Sequence, residues 1–484
     1  MTESTPSASA ESSGGAESPD TSGAPDTSGA PDTSESTASA WTAFGYGPWP
    51  EDGTIPQEEL DAATAARMRL PTSLRPVLGE GVLQRPVFDP SMAHHVRAMR
   101  AGEPQFEDAE AGRRWYAARR RATDLVLAAV ADSPWADHLV LRGSVLLKAW
   151  YGKAAREPGD LDFVVVPDSW QLEDERTDRM IEGIARAADL RSRRAGGPVR
   201  VDSRGAVSDQ IWTYDRVPGR RLVIPWTPGE DGVPSGTVQL DFVFNERLPA
   251  PSAPTAIPRY AGPDAPEESA EPPIRLHAAT PGLSLAWKIL WLITDMHPEG
   301  KDLYDAVLLA ESTELPFELL RRVFEGVEGG YYERNPVLLE WIGSVEADWF
   351  EFRKDYPHIK GGHGEYRTRL VKALAPTFAA LDDGSGEPAE YLERAAWLAG
   401  WTRDCGRLLA DSGMEALQEH LVDRYVAAKN AIVITRELLG RADCGIVDAA
   451  EIVYEYRSFS RKSYQLREVL GDPVEAARQL AGER

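Results

Sequence analysis

Leu141-Arg-Gly-Ser-Val-Leu-Leu-Lys-Ala-Trp150, followed by Gly159-Asp-Leu-Asp-Phe-Val-Val-Val166, decides the fold of this 484-residue chain. An apolar strand over 138–142 runs into Gly143-Ser144. A short helix over 144–152 follows, and a second strand over 160–166 carries Asp160 and Asp162. Those two carboxylates stand at i and i+2, so they share one face of the strand.

Each residue type here has a physical use. Glycine lets backbone come close to a phosphate, while the exposed N–H groups and dipole of a helix N-terminus favour an anion. The Ser144 hydroxyl adds one more donor. Two hard carboxylates side by side suit Mg²⁺ (or Mn²⁺). Asp241, in Val238-Gln-Leu-Asp-Phe-Val-Phe244, is the only acid in a mostly apolar strand and is the candidate third ligand. Gly-Ser turns and Asp-x-Asp pairs are each common, and it is their combination in this order that points to a site for a nucleoside triphosphate and its metal.

Working outward, residues 1–40 are low in complexity and repeat Pro-Asp-Thr-Ser-Gly-Ala, a composition expected to be disordered. Residues 41–105 read as a Pro-rich N-terminal arm with a helix near Gln57–Met68. From Glu107 to Ala131 a helix places Trp115, Ala118, Ala122, Leu125, Val126 and Ala129 on one face, with Arg113, Arg119, Arg120 and Arg121 elsewhere. Strand-like runs follow at Val199–Asp202, Gln210–Tyr214, Arg221–Trp226 and Thr237–Phe244. A Pro-rich linker is expected over 248–274, with an acidic loop at 264–273. From Ser284 onward the pattern is helical, with segments near 284–296, 302–311, 315–326, 337–354, 365–381, 388–410, 414–439 and 447–470. The expected fold is therefore α+β, with a nucleotide-binding core over 106–275 and a mainly helical domain over 276–484 that completes the site.

The formal net charge is −24, so indiscriminate binding of nucleic acid is excluded and any such partner needs a local basic patch. Two stretches could serve. His358–Lys372 contains Lys360, Arg367, Arg369 and Lys372. Tyr454–Arg467 interleaves Arg457, Arg461, Lys462 and Arg467 with tyrosines. Short basic runs are frequent on helices, and solvated helix faces are the favoured reading of both. His358 and His363 lack partners at zinc-ligand spacing. Cys405 and Cys444 stand far apart and read as two reduced thiols. No run approaches a membrane span and no signal peptide is evident, so a cytoplasmic protein with no membrane partner is expected.

At its key residues the chain resembles the nucleotidyltransferases of the AbiEii/AbiGii toxin group, within the DNA polymerase β-like superfamily. The resemblance rests on Leu141-Arg-Gly-Ser-Val-Leu-Leu-Lys, Arg156 ahead of Asp160-Leu-Asp-Phe, Leu283-Ser-Leu-Ala-Trp-Lys-Ile-Leu and Lys301-Asp-Leu-Tyr-Asp305. It implies a polymerase β-like core of small mixed sheet and helices. It implies that Asp160, Asp162 and Asp241 hold metal, and that Gly143, Ser144, Arg156, Lys288 and Lys301 bind nucleotide. Lys288, Asp302 and Asp305 would join the catalytic set. It further implies transfer of an NMP from an NTP to a hydroxyl, with RNA or tRNA as acceptor and a cognate antitoxin as partner, in a toxin–antitoxin or phage-defence setting. The rival expectations are a nucleotidyltransferase acting on a small molecule or protein, and a catalytically silent nucleotide- or partner-binding module.

Overall fold

The computed structural model describes residues 39–44, 49–50, 52–95, 97–213, 217–262, 271–459 and 469–482. The low-complexity segment up to residue 38, most of the acidic loop and most of the Tyr454–Arg467 basic stretch lie outside these residues.

The architecture is mixed α+β. Four short strands belong to the arm: β1 (Val82–Leu83), β2 (Pro86–Phe88), β3 (Met99–Ala101) and β4 (Gln105–Phe106). They form two small antiparallel pairs, β1 with β4 and β2 with β3. The main eight-stranded sheet follows: β5 (Leu139–Arg142), β6 (Leu161–Val165), β7 (Val199–Val201), β8 (Val207–Thr213), β9 (Val217–Pro228), β10 (Gly236–Val243), β11 (Ala253–Ile257) and β12 (Ile274–Ala278). Its order is β11-β12-β5-β6-β10-β9-β7, with β8 added on β9. Strand β6 runs parallel to β10 and antiparallel to β5.

Helix α1 (Ala109–Ala131) starts where Asp108 accepts a hydrogen bond from the Glu110 amide, a standard N-cap. Its apolar face, with Trp115, Ala118, Ala122 and Val126, packs into the same core as the sheet. Helix α2 (Ser144–Tyr151) springs from the Gly143 turn. Helix α3 (Glu175–Ala195) was not apparent from the sequence, because charges crowd its exposed faces; Thr177, Met180, Ile181, Ile184, Ala185 and Ala188 nevertheless form a buried stripe at helical spacing. Helices α4 (Pro281–Thr294), α5 (Gly300–Ala310), α6 (Trp349–Asp355) and α7 (His363–Ala379) share the core of the sheet.

Two further cores stand apart. Helices α8 (Ala389–Asp423), α9 (Ala428–Leu439), α10 (Ile446–Phe459) and α11 (Pro473–Leu480) gather Tyr391, Leu398, Leu417, Ile432, Val453 and Leu480. The arm packs Trp41, Ile55, Leu60, Leu70 and Met99 into a core of its own. The helical half thus contains two cores, one of them continuous with the sheet. Helix α8 breaks at Gly413, whose φ of +83° suits only glycine.

The stretch expected as a Pro-rich linker over 248–274 holds β11 and ends where β12 begins; the two strands pair in register from Ala253↔Ala278 to Ile257↔Ile274. Strand β11 lies at the sheet edge, where proline is tolerated because no outward N–H is needed. Pro254 concealed it. The arm helix expected from Gln57 begins only at Ala62, where the Asp61 carboxylate caps the Thr64 amide at 2.8 Å. Among the described residues, no helix is long and apolar enough to cross a membrane.

Candidate active site

Strand register builds the site. Arg142 on β5 faces Asp162 on β6, Asp162 faces Asp241 on β10, and Asp241 faces Arg221 on β9. Four neighbouring strands therefore place a cation, two carboxylates and a second cation side by side. Asp160, two residues before Asp162, adds a third carboxylate to the same face. Ligand oxygens of Asp160, Asp162 and Asp241 lie within 4.8 Å of one another, the only such acidic or metal-ligating group among the described residues.

Three like charges at this spacing repel one another. Burial pushes the Asp162 carboxyl up to about 7, helped by the charges of Asp160 and Asp241. Burial also raises Asp241, against the pull of Arg221. Asp160 goes the other way: burial is outweighed by Lys301, Arg156, Arg221 and Arg100, which hold it below the usual carboxylate range. Among the described residues, Asp160 and Asp162 accept no hydrogen bond. Asp241 differs, because Arg221 grips both its oxygens at 2.9 Å.

The Gly143-Ser144 turn meets this row from below. Gly143 adopts φ +83° and ψ −156°, and a Cβ there would collide with the Asp162 carboxylate. Glycine is thus required twice over, by backbone angle and by space. Ser144 is 2% exposed, and its hydroxyl is a buried polar group with no hydrogen-bond partner among the described residues. Such groups are rare in folded proteins and cost stability unless something binds them.

The residues singled out on α4 and α5 form a buried ion-pair network beside the triad. Lys288 Nζ lies 2.7 Å from Asp302 and 3.2 Å from Asp305. Arg156 donates to Asp305 through Nη2 at 3.0 Å and through Nε at 3.2 Å. Burial would lower the Lys288 ammonium, but Asp302 and Asp305 overcome it and raise it. Lys301 pairs with Glu299 at 2.8 Å.

Residues 125–383, more than half of the chain and the part that contains the triad, the Gly143-Ser144 turn and the Lys288–Asp305–Arg156 network, match the family model described as nucleotidyl transferase AbiEii toxin, type IV TA system. The chain belongs to the AbiEii nucleotidyltransferase family. No individual curated protein matches it.

The whole arm and all of α8–α11 lie outside the AbiEii match. The arm is nevertheless bound to the site. Asp89 pairs with Arg221 at 2.6 Å, and Ser91 accepts from the same guanidinium at 3.1 Å. Glu103 pairs with Arg119 at 2.7 Å, and Arg119 also donates to the Gly159 carbonyl at 2.9 Å. Arg119, expected away from the buried face of α1, is thus a strut under the acidic strand. Arg142 stood inside the Leu141-Arg-Gly-Ser motif without being singled out, and Arg221, Asp89 and Glu299 had no local motif to mark them; the sole hint for these was Arg220-Arg221 preceding an apolar run, since a cation in a buried strand demands a partner.

The basic stretch on α7 is largely neutralised in this AbiEii-family protein. Arg367 pairs with Glu346, and Arg369 pairs with Glu311, each at 2.8 Å. That is the behaviour of a solvated helix face. Cys405 and Cys444 are buried free thiols.

Proposed function

We propose that this protein transfers an NMP from an NTP to an acceptor hydroxyl on RNA, with tRNA the favoured acceptor, in a metal-dependent reaction on a polymerase β-like core. A cognate antitoxin would hold the activity in check. The observation that carries this reading is the register row that gathers Asp160, Asp162 and Asp241 beside the Gly143-Ser144 turn.

The residues fit a divalent cation. Asp160 and Asp162 are hard oxygen donors that accept no hydrogen bond among the described residues, and Asp241 can share its charge between Arg221 and a metal. Bound there, Mg²⁺ or Mn²⁺ would neutralise phosphate charge and lower the pKa of an attacking hydroxyl. The chain's own groups do the rest. Ser144 Oγ, buried and unpartnered, donates to a phosphate oxygen. Gly143 keeps the turn close to Asp162. Arg156 and Lys288 hold Asp302 and Asp305 in place and contribute positive charge near the triad. In the reaction the acceptor oxygen bonds to the α-phosphorus and the bond to the bridging oxygen breaks. Pyrophosphate leaves, and the hydroxyl proton passes to a carboxylate of the triad.

The test is incubation of the full-length protein with each labelled NTP, Mg²⁺ and total RNA. Label should enter RNA, and Asp162→Ala should abolish it while the protein stays folded. Label confined to small molecules or protein would transfer the activity to another acceptor class. No label anywhere, with NTP binding absent, would refute the enzymatic reading.

A further inference from the structure

We propose that the N-terminal arm forms a working wall of the nucleotide site, and that Arg100 on β3 binds the phosphate tail of the NTP. This deepens the nucleotidyl-transfer reading above and rests on it. The arm residues concerned precede the stretch matched by the AbiEii family, so nothing in that match assigns them a role.

A cavity of about 1180 Å³ lies between the β2–β3 hairpin, the start of β6, the start of α5 and α6. Ligand pockets typically occupy roughly 300–1,000 Å³, so an NTP with part of an acceptor would fit. Of the acidic triad, Asp160 lines this cavity. A polyanion approaching the triad through it therefore meets the cavity's cations first. Lys301, Arg156, Arg221 and Arg100 are among the cations that line it together with Asp160. Three are committed: Lys301 to Glu299, Arg156 to Asp305, and Arg221 to Asp89 and Asp241. Arg100 is not. Among the described residues it alone, of the arginines and lysines that line the cavity, makes no hydrogen bond or ion pair. Glu299, Asp355 and Asp89 balance its charge only through space.

Its guanidinium lines the cavity without a protein partner among the described residues, so its five N–H donors are available to a ligand. Its planar fork matches phosphate oxygens, and its charge never titrates away. Arg100 is also well placed to act as a fixed group. It sits on a strand paired with Val87, and the hairpin is pinned by Arg85 to Glu351 at 2.9 Å and to Asp355 at 2.8 Å.

Calorimetric titration of the full-length protein with each NTP and the matching NMP, in Mg²⁺, tests this. Arg100→Gln should weaken NTP binding about tenfold to hundredfold, the loss expected for one charged hydrogen-bonding group. NMP binding should change much less, and Arg100→Lys should recover part of the loss while keeping the arm's charge and fold. Equal loss for NMP and NTP, or unchanged NTP affinity in both variants, would overturn the assignment. So would a rise in acceptor KM alone, which would place Arg100 on the acceptor. If the wild-type protein itself binds no NTP, the nucleotidyl-transfer reading fails instead, and the two failures are told apart by that control.

Discussion

Replacing Asp305 by alanine should destabilise this protein strongly, whatever it does to the chemistry. Asp305 is fully buried and is held by Arg156 at 3.0 Å and by Lys288 at 3.2 Å, which are 7% and 5% exposed. Removing the carboxylate strands a guanidinium and leaves one ammonium to Asp302. Breaking a buried ion pair from one side costs about 3–5 kcal/mol, because the remaining charge keeps its desolvation penalty. Each kcal/mol moves Tm by roughly 2–4 °C in a domain of this size, so a fall of roughly 6–20 °C is expected. Thermal melting and urea unfolding of the nucleotide-free protein would measure it. A paired variant, Arg156→Met with Asp305→Leu, removes both charges and fills the space. It should lose less than the two single changes added together, since no charge is left unpaired. If Asp305→Ala melts within about 1 kcal/mol of wild type, the network is not structural and the residues are free for direct contact with substrate.

Two shorter expectations follow from buried acids. Asp162→Asn removes a carboxylate that burial and two like charges disfavour, so it should stabilise the metal-free protein by about 1–2 kcal/mol while abolishing transfer; a destabilised variant would contradict the electrostatic account. Burial raises the Asp124 carboxyl to about 6, above its value of 3.8 in the unfolded chain, despite its hydrogen bond from the Tyr260 amide. Its contribution to stability is therefore complete below about 4 and lost as pH rises through about 6. Asp124→Asn should stabilise the protein at pH 8 and leave it near neutral at pH 4, as read by denaturant unfolding at both; an equal effect at the two pH values would refute the linkage.

The Gly-Ser turn, the Asp-x-Asp strand and the lone Asp241 were legible because their signals are local. Spacing of two fixes a strand face, and a glycine before a serine at a helix start fixes a turn. Lys288, Asp302 and Asp305 were singled out as well, but as groups awaiting substrate; that Lys288 and Arg156 are already paired with carboxylates was not in the pattern. Helix α3 escaped notice because its charged faces diluted its apolar stripe, and β11 because its proline is harmless only at an edge.

What the sequence by itself determined is the order of elements around Gly143 and the presence of carboxylates on one strand face, since both depend on neighbours a few residues apart. The tertiary structure decided the rest. It alone aligned Arg142, Asp162, Asp241 and Arg221 in one row, bound Asp89 of the arm to Arg221, and set Arg100 in the cavity that Asp160 lines, without an ion pair among the described residues. Register and charge pairing are through-space quantities: a Coulomb partner is chosen by distance and burial, and residues 132 positions apart, such as Asp89 and Arg221, carry no mark of each other in the chain.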